Sequence, residues 1–374
     1  MTTSDLVERV RGRLANSGTA VTRAEVARAV REESGIAGHD DILVATDRMT
    51  QEFVGAGPLE PLLRAPGTTD VLVTAPDQVW LDGVGGLRRT DTAFPDEDAV
   101  RRLAQRLALA CGRRLDDAQP FVDAWLPGRV RLHAVLPPIA AGGTCISLRV
   151  LRPAGHDLAS LRALGTFDDT VHRTLTAIVE ARLAFVVTGG TGAGKTSLLN
   201  ALLGEVSPRE RIVCVEDAGE LAPAHPQFVR LIARPPNVEG AGEVTLADLV
   251  RQGLRMRPDR LIVGEVRGAE VCDLLTALNT GHDGGAGTVH ANAPAELPAR
   301  MEALAALGGL SRPALHSQLS AAFHVVLHMC RERDGIRRLT HVAVLDRAGD
   351  TVRVVHDRAR LKALLAERGV PAPW

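Results

Sequence analysis

Residues Gly189 to Thr196 read GGTGAGKT and combine the groups that bind phosphate. Glycines accept positive φ angles, so successive backbone N–H groups can turn inward around an anion. Lys195 can reach the outer phosphates of a nucleotide, and the hydroxyl of Thr196 can bind Mg²⁺. The motif therefore predicts a triphosphate site. Its binding residues form one run: Gly189, Gly190, Thr191, Gly192, Ala193, Gly194, Lys195, Thr196 and Ser197.

Carboxylates follow two other apolar segments. LIVGEVRG places Glu265 at a strand end, where a carboxylate can hold Mg²⁺ through its water and reach an attacking water. VCVEDAGEL supplies Glu216, Asp217 and Glu220 after another apolar run. These three either assist with metal-bound water and the nucleophile or form a solvated loop.

Two histidines flank a short strand-like segment in GHDGGAGTVHAN. His282 and His290 do not have the spacing of a histidine metal motif, and lone histidines usually pack or face solvent. Two within such a short, glycine-rich segment predict a site near the carboxyl edge of the sheet.

These residues need a scaffold that brings strand ends together. LAFVVT, RIVCV and LIVG are apolar runs without alternation, separated by helical segments, which predicts an α/β domain whose parallel sheet has helices on both faces. Thr166 and Asp169 predict a capping box before one of these helices. The predicted domain limits are 1–48 for an N-terminal helical region, 49–150 for a smaller α+β domain, 151–165 for a linker, 166–345 for the P-loop domain and 346–374 for a C-terminal tail.

Composition favours a globular protein that is not a general nucleic-acid binder. The 374 residues carry a net charge of -1, and aromatic residues make up 3% with no tyrosine, which leaves few platforms for stacking bases. The five cysteines are widely spaced, as in a protein with reduced thiols. We find no signal-peptide pattern and no apolar run long enough to span a bilayer, and expect a cytoplasmic location.

Several longer segments resemble the secretion-ATPase superfamily of type II and type IV systems. They are VCVEDAGEL, RPPNVEGAGEVTLADLVRQGLRMRPDRLIVGEVRG and NTGHDGGAGTVHAN, with GAGPLEPLL, TDVLVTAP and VWLDG upstream. Within it they look like the CpaF/TadA-type ATPases of tight-adherence (Flp) pilus assembly, which in actinobacteria are often described as conjugal-transfer-associated. The resemblance covers residues 50–345.

The resemblance implies a core of RecA type that hydrolyses ATP with Mg²⁺ and works as a homo-oligomeric ring, usually a hexamer. The ring would be peripherally bound to the cytoplasmic face of the membrane, on inner-membrane platform proteins of a pilus or secretion system. Neither direct nucleic-acid binding nor zinc is expected. The implied roles are water activation for Glu216, Walker B glutamate for Glu265, phosphate sensing for Arg267, histidine-box residues near the γ-phosphate for His282 and His290, and transition-state arginines from the upstream domain for Arg129, Arg131 and Arg149.

Two other interpretations stay open. A conjugal DNA-transfer translocase would also carry a P-loop, although the neutral charge and scarce aromatics argue against it. A non-hydrolysing scaffold ring is the third, and the intact Lys195, Glu216 and Glu265 argue against that.

Overall fold

The computed structural model describes residues 3–15, 23–34, 39–53, 55–83, 85–126, 128–151, 155–237 and 240–374. It divides the chain into two compact units, Met1–Arg152 and Pro153–Trp374. The predicted helical region 1–48 and the predicted linker 151–165 each include residues outside the described ranges. The predicted domain limits stay predictions.

The first unit begins with three helices that pack on one another. They are α1 (Thr3–Ala15), α2 (Arg23–Ser34) and α3 (His39–Phe53). Apolar residues recur at helical spacing on each, so each helix buries one face. Leu6, Val10, Val30 and Met49 are fully buried in the small core that results.

A six-stranded sheet forms the rest of this unit, and each pair of neighbouring strands is antiparallel. After the short helix α4 (Glu60–Arg64), its strands are β1 (Asp70–Ala75), β2 (Gln78–Asp82), β3 (Arg88–Arg89), β4 (Phe121–Leu126), β5 (Val130–Val135) and β6 (Cys145–Val150), in the order β3-β2-β1-β6-β5-β4. Helix α5 (Glu97–Ala110) packs on it and is capped by Asp96, whose carboxylate accepts a 2.7 Å hydrogen bond from Ala99 N.

The second unit is built on an eight-stranded sheet in the order β14-β13-β12-β7-β11-β10-β8-β9. Its strands are β7 (Phe185–Gly189), β8 (Ile212–Glu216), β9 (Phe228–Ile232), β10 (Arg260–Val263), β11 (Ala286–His290), β12 (Val325–Arg331), β13 (Arg337–Ala348) and β14 (Thr351–Val355). Strands β12 to β9 in that order are parallel, and β13 and β14 extend the sheet as antiparallel strands. The predicted parallel sheet is confirmed.

Helices cover both faces of this sheet, which explains why its central strands are apolar without alternation. They are α6 (Leu158–Ala163), α7 (Asp169–Glu180), α8 (Lys195–Gly204), α9 (Leu246–Leu254), α10 (Glu270–Leu278), α11 (Leu297–Leu307), α12 (Arg312–Ala322) and α13 (Arg358–Glu367). Phe185 and Val187 of β7 pack in the core on one face, and Val186 packs in the core on the other. The strand that leads into the glycine loop is therefore fixed on both sides.

One detail differs from the sequence expectation. Helix α7 is capped by Asp168, which accepts from Val171 N at 2.8 Å, so the capping box of Thr166 and Asp169 is wrong. Leu158, from the predicted linker, and Leu365, from the predicted tail, both lie in the core of the second unit. Among the described residues, no helix has both the length and the apolar character needed to cross a membrane.

Candidate functional site

The glycine-rich loop joins the end of β7 to the first residue of α8. Gly194 has φ +95° and precedes Lys195, the first residue of the helix, so a residue with a side chain would be strained there. Gly189 has φ +150°, and a Cβ at this position would collide with the carbonyl oxygen of Met329. Backbone N–H groups at this helix N-terminus can therefore meet an anion at close range.

Lys195 lies under the loop with only 7% of its surface exposed. Its ammonium donates hydrogen bonds to the carbonyl oxygens of Gly189 at 3.0 Å and Gly190 at 2.8 Å. Burial lowers the pKa of Lys195, while the carboxylates of Glu265 and Glu220 raise it. A phosphate at this position would give the ammonium the counter-charge that the two carbonyls only partly supply.

His290 connects Lys195 to Glu265. Its Nδ1 lies 3.4 Å from Lys195 Nζ and its Nε2 lies 3.0 Å from Glu265 Oε1. Burial and, next, the Lys195 charge lower the pKa of His290, although Glu265 raises it. The lowered pKa favours the neutral imidazole. An ammonium can only donate, so we assign Nδ1 as the acceptor and Nε2–H as the donor to the carboxylate.

The contacts from Lys195 through His290 to Glu265, called the relay below, depend on the register of the parallel strands. His290 ends β11 and pairs with Gly189 at the end of β7, and Glu265 lies two residues beyond the end of β10, the next strand. Carboxyl ends of parallel strands share one edge of the sheet, where ligands of open α/β sheets bind. The sequence groups Lys195, Glu265 and His290 in one site, and the structure brings these three together.

Glu216 ends β8 and makes a separate set of contacts. Its Oε1 accepts hydrogen bonds from the N–H groups of Glu220 and Leu221, each at 3.0 Å. Its Oε2 lies 3.4 Å from Arg230 Nε, which is an ion-pair distance without a hydrogen bond. Burial raises the pKa of Glu216 to about 7, although both amides and Arg230 lower it. In this arrangement Glu216 shapes the acidic loop.

Glu220 is the carboxylate of this loop that acts on Lys195 by charge, because its negative charge raises the pKa of the ammonium. The sequence contained the signal, since Glu220 follows Glu216 by four residues in the predicted acidic loop, but its spacing could not show which carboxylate the loop amides would hold. The sequence gives no signal for Arg230, the cation beside Glu216, because it lies on β9, a strand that the apolar pattern does not predict.

Arg267 lies two residues beyond Glu265 and pairs with Asp217. Its Nη2 is 2.6 Å from Asp217 Oδ2, and its side chain is half exposed. Its backbone N–H donates to Glu270 Oε1 at 2.6 Å, which fixes the start of α10. A contact to phosphate would require Arg267 to exchange Asp217 for the nucleotide.

His282 does not lie near the glycine loop, contrary to the expectation. It precedes β11, and the neighbouring Gly285 carbonyl accepts from Phe185 N at the beginning of β7. Its Nδ1 contacts the Ala277 carbonyl oxygen at 3.1 Å. Since β7 and β11 are parallel, His282 and His290 lie at opposite edges of the sheet, roughly 16 Å of strand apart.

Arg129, Arg131 and Arg149 belong to the first unit. Arg131 and Arg149 pair across β5 and β6 on the face away from the core, and Arg131 also pairs with Asp123. Arg129 has φ +64° in the turn before β5. Their role at a nucleotide stays a prediction.

The residues present fit a magnesium nucleotide. Thr196 is in the first turn of α8, and its half-buried hydroxyl has no hydrogen-bond partner among the described residues. Glu265 is 45% exposed and can reach water beside the loop. A hydroxyl at the helix start and a carboxylate at the adjacent strand end are the oxygen donors that Mg²⁺ takes in such sites.

A parallel sheet whose central strand leads through a glycine loop into a helix is the arrangement of the P-loop nucleotide-binding class. The profile of the family described as "Type II/IV secretion system protein" matches residues 52–361. The chain belongs to this family, and the predicted class of secretion ATPase is confirmed.

Two relatives and one solved structure are similar to this chain. A Mycobacterium tuberculosis (strain H37Rv) protein named for conjugal transfer is 66% identical over 324 residues, covering 85% of this chain and 92% of the relative. The type IV secretion system protein PtlH of Bordetella pertussis is 34% identical over 275 residues, covering 66% and 79%. The crystal structure of the Legionella pneumophila ATPase DotB has the same fold, with a TM-score of 0.55, 19% identity, and coverage of 87% and 86%.

Proposed function

We propose that this protein hydrolyses ATP at the glycine loop and that the cycle powers a secretion or pilus-assembly machine. The observation that carries the proposal is the row of contacts from Lys195 through His290 to Glu265 at the carboxyl edge of the sheet. These contacts link the cation under the glycine loop to a carboxylate that water can reach. A scaffold protein would not need this pairing.

Each residue has a defined task in this proposal. Lys195 and the loop amides bind the β- and γ-phosphates, and Thr196 binds Mg²⁺, which neutralises phosphate charge when present. Glu265 orients the attacking water and accepts its proton. His290 Nε2–H holds the Glu265 carboxylate in place by donating to its Oε1. Glu220 supplies the second carboxylate whose charge acts on Lys195, after that of Glu265. Glu216 holds the acidic loop in position through the amides of Glu220 and Leu221.

The finer features come from the family resemblance and are part of the proposal. They are a RecA-like core, a hexameric ring, platform proteins at the cytoplasmic face of the membrane, membership of the tight-adherence pilus subgroup, and arginines of the first unit acting on the nucleotide. Arg267 would leave Asp217 to sense the γ-phosphate.

A DNA-transfer translocase is the second candidate, because the relative with 66% identity is named for conjugal transfer. The net charge of -1 and the low aromatic content favour the protein-secretion alternative. Stimulation of ATP hydrolysis by single- or double-stranded DNA, falling steeply with salt, would support the translocase. An ATPase rate that DNA does not change would reject it.

The test compares nucleotide binding and turnover in three proteins. Wild type should bind fluorescent ATP and release phosphate. Lys195→Ala should lose binding, because the phosphate charge loses its buried partner. Glu265→Gln should bind ATP normally and lose turnover, because a neutral amide cannot accept a proton. Normal turnover in either variant, or equal loss of binding and turnover in Glu265→Gln, would contradict the assignment.

A further inference from the structure

The hairpin of β12 and β13 forms the outer wall of the glycine loop. Met329 of β12 pairs with Gly189, and its Cε would lie 3.4 Å from a Cβ at Gly194. The same Cβ would lie 3.1 Å from Cδ of Arg337, at the start of β13. Two residues from distant parts of the sequence therefore touch the loop that receives the phosphates.

Arg337 makes a directed contact to this loop. Its Nε donates a 2.9 Å hydrogen bond to the carbonyl oxygen of Gly192. In a trans peptide the C=O and N–H groups point in opposite directions, so holding this carbonyl outward turns the N–H of Ala193 toward the inside of the loop. A cation on the carbonyl also polarises the peptide and makes that N–H a stronger donor.

The Ala193 N–H group is weakly engaged in this state. Its hydrogen bond to the Gly190 carbonyl oxygen is long, at 3.4 Å. A phosphate oxygen would be a better acceptor, because a charged acceptor roughly doubles the strength of such a bond. The peptide that Arg337 holds is therefore one whose donor is available to a ligand.

Arg338, the next residue, shows what an arginine with a purely structural role does here. Its Nη1 pairs with Glu332 and with Asp334 at 2.9 Å, inside the hairpin turn. Arg337 is exposed and forms no ion pair with any residue in the described part of the chain. Its charge is left unneutralised beside a site for a polyanion.

We propose that Arg337 is a positioning residue of the nucleotide site, which rests on the proposed ATP-binding function. It fixes the Gly192–Ala193 peptide and adds positive charge at the outer side of the loop. Because these effects act on the loop rather than on the bond that breaks, they stabilise bound ATP and its transition state alike, and they also stabilise bound ADP.

The experiment measures affinity and turnover separately in variants of Arg337. Fluorescent ATP and ADP are titrated into the full chain, and steady-state hydrolysis is followed up to saturating ATP. Arg337→Ala should weaken the binding of both nucleotides by about fivefold to tenfold, the effect of one ordinary hydrogen bond at a solvent-exposed position, with kcat close to wild type. Arg337→Lys should recover part of the loss, because it restores the charge without the guanidinium geometry.

Arg338→Ala is the matched control, since it loosens the hairpin turn without touching the loop, and its affinities should equal those of wild type. Lys195→Ala reports on the site itself. Loss of binding in Lys195→Ala together with unchanged affinity in Arg337→Ala overturns the inference and leaves the proposed function standing.

Three other results also overturn the inference. They are an equal loss of affinity in Arg338→Ala, a fall in kcat without a change in affinity, and a wild type that binds neither nucleotide, which removes the proposed function as well. Thermal melting of the nucleotide-free proteins checks folding. Should Arg337→Ala fail to fold, Arg337→Met, which keeps the packing on Gly194, decides the question by the same measurements.

Discussion

The buried carboxyl of Glu216 should make the stability of this protein fall as pH rises from about 4.5 toward neutrality. Only 4% of Glu216 is exposed, and burial raises its pKa from 4.5 to about 7. Well below pH 4.5 the group is protonated in both the folded and the unfolded chain. Between pH 4.5 and about 7 the unfolded chain releases the proton first, so each rise in pH favours unfolding.

The magnitude follows from the same two values. A difference of one pKa unit corresponds to about 1.4 kcal/mol, so the full pKa change costs about 3 kcal/mol once the pH exceeds 7. Arg230 and the two loop amides reduce the cost without removing it, because they already act in the folded state that has this raised pKa. Glu216→Gln keeps an oxygen for the amides of Glu220 and Leu221 and removes the titration.

The assay is urea denaturation of wild type and Glu216→Gln at pH 5.5 and pH 8. The variant should gain on wild type by about 2 kcal/mol between the two conditions. Glu180→Gln, at an exposed helix end, is the control and should follow wild type at both values. The same pH dependence in wild type and Glu216→Gln would refute the reasoning, as would a variant that loses stability more steeply than wild type.

Three further changes test other contacts. Glu210→Ala removes the two carboxylate contacts of the fully buried Arg260, at 2.9 and 3.1 Å. The free energy of unfolding should fall by about 3 kcal/mol, because the buried guanidinium loses its counter-charge. A loss below about 1 kcal/mol in urea denaturation would contradict this expectation. His290→Ala should lower kcat for ATP about 10- to 100-fold because Glu265 loses its donor, and an unchanged rate in a phosphate-release assay would exclude His290 from the relay. Gly189→Ala should lower the free energy of unfolding by about 2 kcal/mol in calorimetry, because Gly189 has φ +150° and an added Cβ would collide with the Met329 carbonyl oxygen. Gly190→Ala should cost less, because an added Cβ there meets no atom within 4 Å. Equal effects of the two substitutions would contradict this account of Gly189.

Local features of the site could be predicted because their chemistry is local. The glycine loop, Lys195 and Thr196 are contiguous, and backbone freedom, one cation and one hydroxyl suffice to indicate phosphate. The buried strands before and after them are recognisable as apolar runs, and these runs predict the parallel sheet. Glu265 joins the site by the same rule, as a carboxylate at a strand end.

Residues whose roles depend on direction could not be assigned. His282 and His290 look equivalent as two histidines flanking one strand, but a strand has two ends, and only the end of β11 next to Gly189 faces the loop. Glu216 and Glu220 share one acidic segment, and loop amides decide which carboxylate is held inside.

The sequence by itself determined that a phosphate-binding loop stands between a buried strand and a helix, because a few contiguous residues carry all of its physical requirements. Only the tertiary structure decided which distant side chains meet that loop. Met329 and Arg337 reach it from a hairpin more than 130 residues further along the chain, and His290 reaches it through strand pairing. Such contacts are set by sheet order and register, which depend on the packing of the whole core and leave no mark in any short segment.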